Sequence, residues 1–217
     1  MAVADAGAPL EPIDLAGFGP VIPVIVIERV ERAVPMARAL VEGGVRVLEI
    51  TLRTAAALGA IEAIARAVPE AIVGAGTLRS ADDVRSARAA GARFGVSPGY
   101  SAAVAAACRD LGLPLLPGVA TASEVMQAAD DGFRFLKFFP ASAAGGPALL
   151  KAWASPFADI VFCPTGGVDI ASAPAWLALP NVRVVGGSWL TPPDAIAAQD
   201  WPRITLLARA ASALPRP

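Results

Sequence analysis

Gly91-Ala92-Arg93-Phe94-Gly95-Val96-Ser97, Gly112-Leu113-Pro114-Leu115-Leu116-Pro117 and Gly132-Phe133-Arg134-Phe135-Leu136-Lys137-Phe138 use one device three times. Each opens on a glycine that ends an alanine-rich helical stretch, then runs directly into a short apolar strand. Successive glycines stand 21 and 20 residues apart, about the length of one βα unit in a small barrel. Gly44-Val45-Arg46 is an earlier copy. Glycine suits the residue just past a helix because it adopts the left-handed backbone cheaply.

The pattern extends in both directions. Strands are expected over 21–27, 45–51, 71–76, 93–97, 114–117, 133–138, 160–163 and 182–186. Helices are expected over 29–41, 55–67, 81–90, 102–111, 122–129, 147–154, 170–177 and 193–214. Near-continuous apolar strands are what a parallel sheet covered on both faces requires. Strict alternation of eight such units in this length predicts a single (β/α)8 barrel (a TIM barrel). It forms one domain over residues 1–217, with a short N-terminal extension. Pro23 lies inside the first strand, where a missing N–H predicts a bulge or irregular pairing.

Of the 217 residues, 55% are hydrophobic and 17% charged, which fits a chain with a sizeable core rather than a disordered one. The net charge is −1, and no basic run or aromatic–basic interleaving points to nucleic acid. No uncharged apolar run approaches the roughly 20 residues that span a bilayer. The first twelve residues carry Asp5 and Glu11 but no basic residue, unlike a signal peptide. A cytoplasmic protein is the expectation. Cys108 and Cys163 are expected to be reduced, buried thiols. Histidine is absent, which removes His-based triads, bases and metal ligands. No metal site is expected.

In such a barrel, catalytic groups project from the C-terminal strand ends. Lys137 is one of only two lysines and lies among Phe133, Phe135, Phe138 and Phe139. Desolvation disfavours its charged form, and a neutral amine attacks carbonyl carbon. The alternative is a lysine that snorkels into water. Glu49 lies inside an apolar strand, on the face of Val47 and Thr51. It is either half of a buried ion pair with Arg53 or a proton-transfer group. Thr77 follows Val73 and Ala75 in parity, after glycines that suggest close approach of backbone or ligand; taken alone it reads as a helix cap or turn threonine. Ser97-Pro98-Gly99 and Pro117-Gly118-Val119 read as shaped loops, and Thr121 with Glu124 as a capping box. The seventh and eighth units run into Thr165-Gly166-Gly167 and Gly186-Gly187-Ser188. These are two tight turns or an anion cradle at the recurrent phosphate position of this fold. An amine, a carboxylate and a guanidinium in one cavity would equip a Schiff-base lyase acting on a 2-oxo acid.

Several of these stretches, taken in order, resemble the KDPG/KHG aldolase family. They are Val21-Ile22-Pro23-Val24-Ile25, Leu48-Glu49-Ile50-Thr51-Leu52-Arg53-Thr54, Gly74-Ala75-Gly76-Thr77 and Ser97-Pro98-Gly99. Further on come Lys137-Phe138-Phe139-Pro140-Ala141, Phe162-Cys163-Pro164-Thr165-Gly166-Gly167 and Gly186-Gly187-Ser188-Trp189-Leu190. The resemblance implies a class I aldolase cleaving 2-keto-3-deoxy-6-phosphogluconate (KDPG) to pyruvate and glyceraldehyde 3-phosphate, and also 4-hydroxy-2-oxoglutarate (KHG). It implies that Lys137 forms the Schiff base and that Glu49 is the general acid/base. Arg53 and Thr77 would hold the carboxylate, with Pro98 and Phe139 shaping the pocket. Thr165, Gly166, Gly167, Gly187 and Ser188 would receive the phosphate. It implies no cofactor, no metal and a homotrimer. Gly118-Val119-Ala120-Thr121 and Ala141-Ser142-Ala143 depart from the family pattern in small residues, which bears on fine substrate preference. Two other readings are an aldolase for the galactonate epimer and a non-catalytic phosphate-ligand-binding barrel.

Overall fold

Proline and glycine set where the strands stop. The computed structural model describes residues 12–215; the short N-terminal extension lies outside the described residues. Among the described residues, nine short parallel strands form: β1 (Val21–Ile25), β2 (Val47–Thr51), β3 (Ile72–Gly76), β4 (Gly95–Val96), β5 (Leu115–Leu116), β6 (Gly118–Val119), β7 (Phe135–Phe138), β8 (Val161–Pro164) and β9 (Val185–Gly187). The fifth expected strand is thus split at Pro117, which has no N–H for the ladder. Ser97 closes the gap: its Oγ accepts the Gly118 N–H at 3.4 Å. Pro23 does not break β1. Residues 21–23 pair with β9 and residues 24–25 with β2, so the proline falls where the registered partner changes, with no bulge.

The intervening helices among the described residues are α1 (Ala33–Glu42), α2 (Ala57–Ala67), α3 (Ala81–Ala89), α4 (Ala102–Asp110), α5 (Ala122–Asp130), α6 (Gly146–Trp153), α7 (Ala173–Leu177), α8 (Pro193–Ala198) and α9 (Trp201–Ser212). The expected helix over 193–214 is two helices. Gln199 turns left-handed at φ 56°, and Asp200 caps α9 by accepting the Arg203 N–H at 3.1 Å. Pro202 in the first turn of α9 could not continue a helix from α8 without a clash. The Thr121–Glu124 capping box forms as expected. Gly44, Gly91, Gly112 and Gly132 all take φ between 58° and 92° after helices, as the repeat requires. No helix among the described residues is long and apolar enough to cross a membrane.

The strands make a six-stranded sheet, ordered β5-β4-β3-β2-β1-β9, and a three-stranded sheet, β6-β7-β8. Single bridges, Phe162 to Val182 and Thr165 to Gly186, join β8 to the β9 side. Both sheets curl around one apolar cluster. It takes Ile22, Val47, Ile72, Phe94, Leu116 and Phe135, from β1 to β5 and β7 or their flanks, with Cys163 and Val184. The opposite strand faces, such as Leu48, Ile50, Val73 and Leu136, pack under the helices. Burying one such side chain contributes about 1.5–3 kcal/mol. The inner cluster can therefore offset the several kcal/mol per ion that a buried charge costs at its rim. That rim is the C-terminal end of the strands, two residues beyond Val47 and Phe135, where Glu49 and Lys137 stand.

Candidate active site

Lys137 and Glu49 face each other across this rim. Lys137 Nζ donates to Glu49 Oε1 at 3.1 Å, with the two residues only 4% and 3% exposed. The lysine therefore does not snorkel, and Glu49 does not pair with Arg53. Its charge is met by the lysine. The Phe139 ring lies 5.4 Å from Nζ, offering its π face to the cation. Cys163 is the registered β8 neighbour of Lys137. Burial pushes its thiol up to about 12, so it stays neutral and adds no second anion beside the amine. Both cysteines are free and buried, as expected.

Gly76 makes room for the carboxylate. A Cβ there would sit 2.2 Å from Glu49 Oε1 and 2.7 Å from its Cγ. Gly76→Ala is therefore expected to displace Glu49 from Lys137. Turnover should fall by roughly 10²-fold, the cost of a misplacement of about 1 Å. Steady-state kinetics beside a thermal melt checks this: normal turnover would mean that the carboxylate position is unimportant.

Arg53 follows β2 and is exposed. Its Nε donates to Thr77 Oγ1 at 3.3 Å. Thr77 is not a helix cap; Ser80 caps α3. Nor does strand parity set its direction, because β3 ends at Gly76 and Thr77 adopts φ 65°. A β-branched residue in the left-handed region is strained, and such strain is concentrated at ligand sites. Among the described residues the terminal N–H groups of the guanidinium make no hydrogen bond, which leaves them to a planar carboxylate, for which their fork geometry is suited.

Arg53, Lys137, Phe139, Thr165, Gly166, Gly167, Gly187 and Ser188 line one cavity of about 580 Å³. Glu49 and Thr77 stand behind Lys137 and Arg53. Pro98 is not on this wall. Its carbonyl packs against Gly118, where a Cβ would come within 2.4 Å, and Gly118 is the registered neighbour of Lys137. Gly166 and Gly167 are both left-handed, at φ 98° and 76°. The Gly167 carbonyl accepts from Ser142 Oγ at 3.0 Å, so the Ala141-Ser142-Ala143 segment braces this turn. The N–H groups of Gly167 and Ser188 make no backbone hydrogen bond among the described residues. They remain available to an anion.

The cavity also takes in Glu28, Arg32 and Thr191, which the sequence reading did not single out. Glu28 and Arg32 lie between β1 and α1. Arg32 falls inside the helix expected over 29–41, and two acidic and two basic residues in five positions, Glu28 to Arg32, are the signal in the sequence that marks this loop.

The family described as KDPG and KHG aldolase matches residues 15–207. The 2-dehydro-3-deoxy-phosphogluconate aldolase of Pseudoalteromonas atlantica is 52% identical over 200 residues, covering 92% of this chain and 93% of that protein. The KHG/KDPG aldolase of Escherichia coli K12 is 53% identical over 193 residues, 89% of this chain and 91% of that one. A KDPG aldolase from Legionella pneumophila was solved with pyruvate captured at low pH as a covalent carbinolamine intermediate. It superposes with a TM-score of 0.92 at 44% identity, over 94% of this chain and 99% of that one. Matches of this depth run the full length of the two curled sheets and through every strand end that carries the site. The chain belongs to the KDPG and KHG aldolase family.

Proposed function

We infer that the protein is a class I aldolase that cleaves KDPG to pyruvate and glyceraldehyde 3-phosphate through an imine on Lys137. The observation that carries this is the buried Lys137–Glu49 pair at 3.1 Å on the wall of a cavity with an arginine at one side and paired glycine turns at another. The names of relatives at about half identity, and the covalent pyruvate carbinolamine of the Legionella protein, support it.

Transfer of one proton from Lys137 to Glu49 leaves a neutral amine facing the cavity. Its lone pair adds to the C2 keto carbon to give a carbinolamine. Protonation of the carbinolamine hydroxyl by Glu49 expels water and leaves a protonated imine. Glu49, again a carboxylate, removes the C4 hydroxyl proton. The C4–O bond becomes a carbonyl, the C3–C4 bond breaks, and its electron pair passes into the imine as an enamine. Glyceraldehyde 3-phosphate leaves. Protonation at C3 and addition of water then release pyruvate and restore the amine. Arg53 and Thr77 hold the C1 carboxylate so that C2 is presented to Nζ. Phe139 shapes the wall, Pro98 acts only from behind it through its packing on Gly118, and Thr165, Gly166, Gly167, Gly187 and Ser188 receive the phosphate. KHG, lacking the phosphate, reacts by the same steps.

The same reading makes the two sheets one closed eight-stranded barrel in a single domain, with β5 and β6 counted as one strand broken at Pro117. The bridges from β8 and the shared inner cluster support it. The family resemblance supports a cytoplasmic homotrimer. Light scattering should then give three times the 22.0 kDa chain mass.

Borohydride reduction in the presence of pyruvate tests the mechanism. A single covalent adduct is expected, mapping by mass spectrometry to Lys137. Lys151 is exposed on α6 and should stay unmodified. No adduct, or an adduct on Lys151 alone, would overturn the Schiff-base reading.

A further inference from the structure

Among the described residues, four charged side chains reach the cavity wall: Glu28, Arg32, Arg53 and Lys137. Lys137 is committed to Glu49, and Arg53 is held by Thr77. Arg32 has no comparable role. It is half-buried, enters no ion pair among the described residues, and its side chain caps nothing on α1 although it occupies the N-cap position.

Its place in the fold is specific. β1 pairs with β9 through Val21–Val185, Ile22–Gly186 and Pro23–Gly187. The segment leaving β1 toward Arg32 therefore starts beside the Gly187-Ser188 turn. β2, which leads to Arg53, lies on the other side of β1. Arg53 and Arg32 thus serve opposite sides of one cavity. Thr191, buried just beyond Ser188, lines the wall on the β9 side.

The ligand chemistry asks for such a cation. A phosphate monoester brings about −1.5 to −2 charges at neutral pH. Glycine N–H groups and a serine hydroxyl are neutral donors, and charge-assisted hydrogen bonds are roughly twice as strong. Glu28 on the same wall is exposed, so solvent screens its repulsion of an anion. We propose that Arg32 is a specificity-determining residue: its guanidinium takes the terminal phosphate together with the Gly167 and Ser188 N–H groups, and so sets the preference for phosphorylated over unphosphorylated 2-oxo acids. This rests on the reading of the glycine turns as the phosphate end.

Glycerol 3-phosphate is a suitable probe, because it carries the phosphate without a carboxylate that Arg53 could take. Its affinity would be measured by calorimetry on the wild-type protein, Arg32→Gln, Arg32→Lys and Ser188→Glu, each first checked by thermal melt. Arg32→Gln is expected to weaken binding about 10-fold or more, the scale of one lost charged hydrogen bond. Arg32→Lys keeps a point charge and should lose less. In kinetics, the ratio of kcat/KM for KDPG to that for KHG should fall by about the same factor in Arg32→Gln. An equal loss on both substrates would make Arg32 merely structural and overturn the proposal. If only Ser188→Glu weakens the probe, Arg32 is excluded and the phosphate end stands. If only the Arg32 variants do, Arg32 is upheld and the phosphate moves away from Ser188. If neither does, or the wild-type protein does not bind the probe, the phosphate end itself is wrong and this inference falls with it.

Discussion

Lys137→Met should reduce turnover of KDPG by roughly 10⁴-fold or more, the scale on which removal of a covalent nucleophile is measured in other enzymes. Methionine matches the lysine stem in length and flexibility, so β7 and the inner cluster should remain packed. What disappears is the amine, and with it the borohydride-trapped pyruvate adduct. A cost in stability should accompany the loss, because Glu49 would be left buried without a partner. Removing one member of a buried ion pair costs about 3–5 kcal/mol, or roughly 6–20 °C in Tm for a chain of this size. Protonation of the stranded Glu49 would reduce that penalty. Adding Glu49→Gln to Lys137→Met should recover part of it, since the double variant buries no charge. The two readouts separate the roles of the lysine. A lysine that only balances Glu49 would lower Tm and leave turnover intact. Retained turnover in a folded Lys137→Met protein would end the mechanism proposed above.

The positions of Lys137 and Glu49 were legible because strand parity is rigid. Side chains two residues apart share a face. A charged residue that continues the parity of Val47 or Phe135 must therefore face the inner cluster or its rim. The pairing partner was not legible. Glu49–Arg53 and Glu49–Lys137 are equally allowed by parity, and 88 residues separate the second pair along the chain. Only the curl of the sheets brings β2 and β7 to face each other. Thr77 shows where parity ends. Beyond Gly76 the backbone turns left-handed, and alternation no longer sets where the hydroxyl points. The glycine repeat was legible as helix ends because each glycine answers a local need for positive φ. A close approach is legible in the glycines that end β3, but what approaches, a carboxylate from β2 at Gly76 and the backbone of Pro98 at Gly118, is set by distant parts of the chain. The split fifth strand follows from a proline whose effect could be read locally. The break near Gln199 also has local signals, Asp200 and Pro202, which a helix expected over 193–214 passes over. Arg32 is not legible as a site residue because its position fits the start of a helix, and β1–β9 pairing is what brings that loop toward the glycine turns.

Glu49→Gln should lower turnover by roughly 10²–10⁴-fold, the range for a positioned general acid/base. The amide is nearly isosteric, and its carbonyl oxygen can still accept from Lys137 Nζ. Fold and packing should survive, and the space left by Gly76 remains sufficient. The amide cannot, however, take the ammonium proton, protonate the carbinolamine hydroxyl or remove the C4 hydroxyl proton. All three steps would fall to water, which the 3% exposure of this residue largely keeps away. The pyruvate adduct on Lys137 should therefore still form in Glu49→Gln, but more slowly. That persistence is what distinguishes this variant from Lys137→Met. Glu49→Asp makes a complementary test: one methylene shorter, its carboxylate should fall short of the 3.1 Å contact while keeping the charge. An intermediate rate for Asp would say that distance matters as well as chemistry. If Glu49→Gln turned over KDPG at a near-normal rate, the carboxylate would be only the counter-ion of Lys137, and the proton transfers would need another group. Among the described residues the Cys163 thiol beside the amine is a poor substitute: raised to about 12 by burial, it does not give up a proton readily near neutral pH.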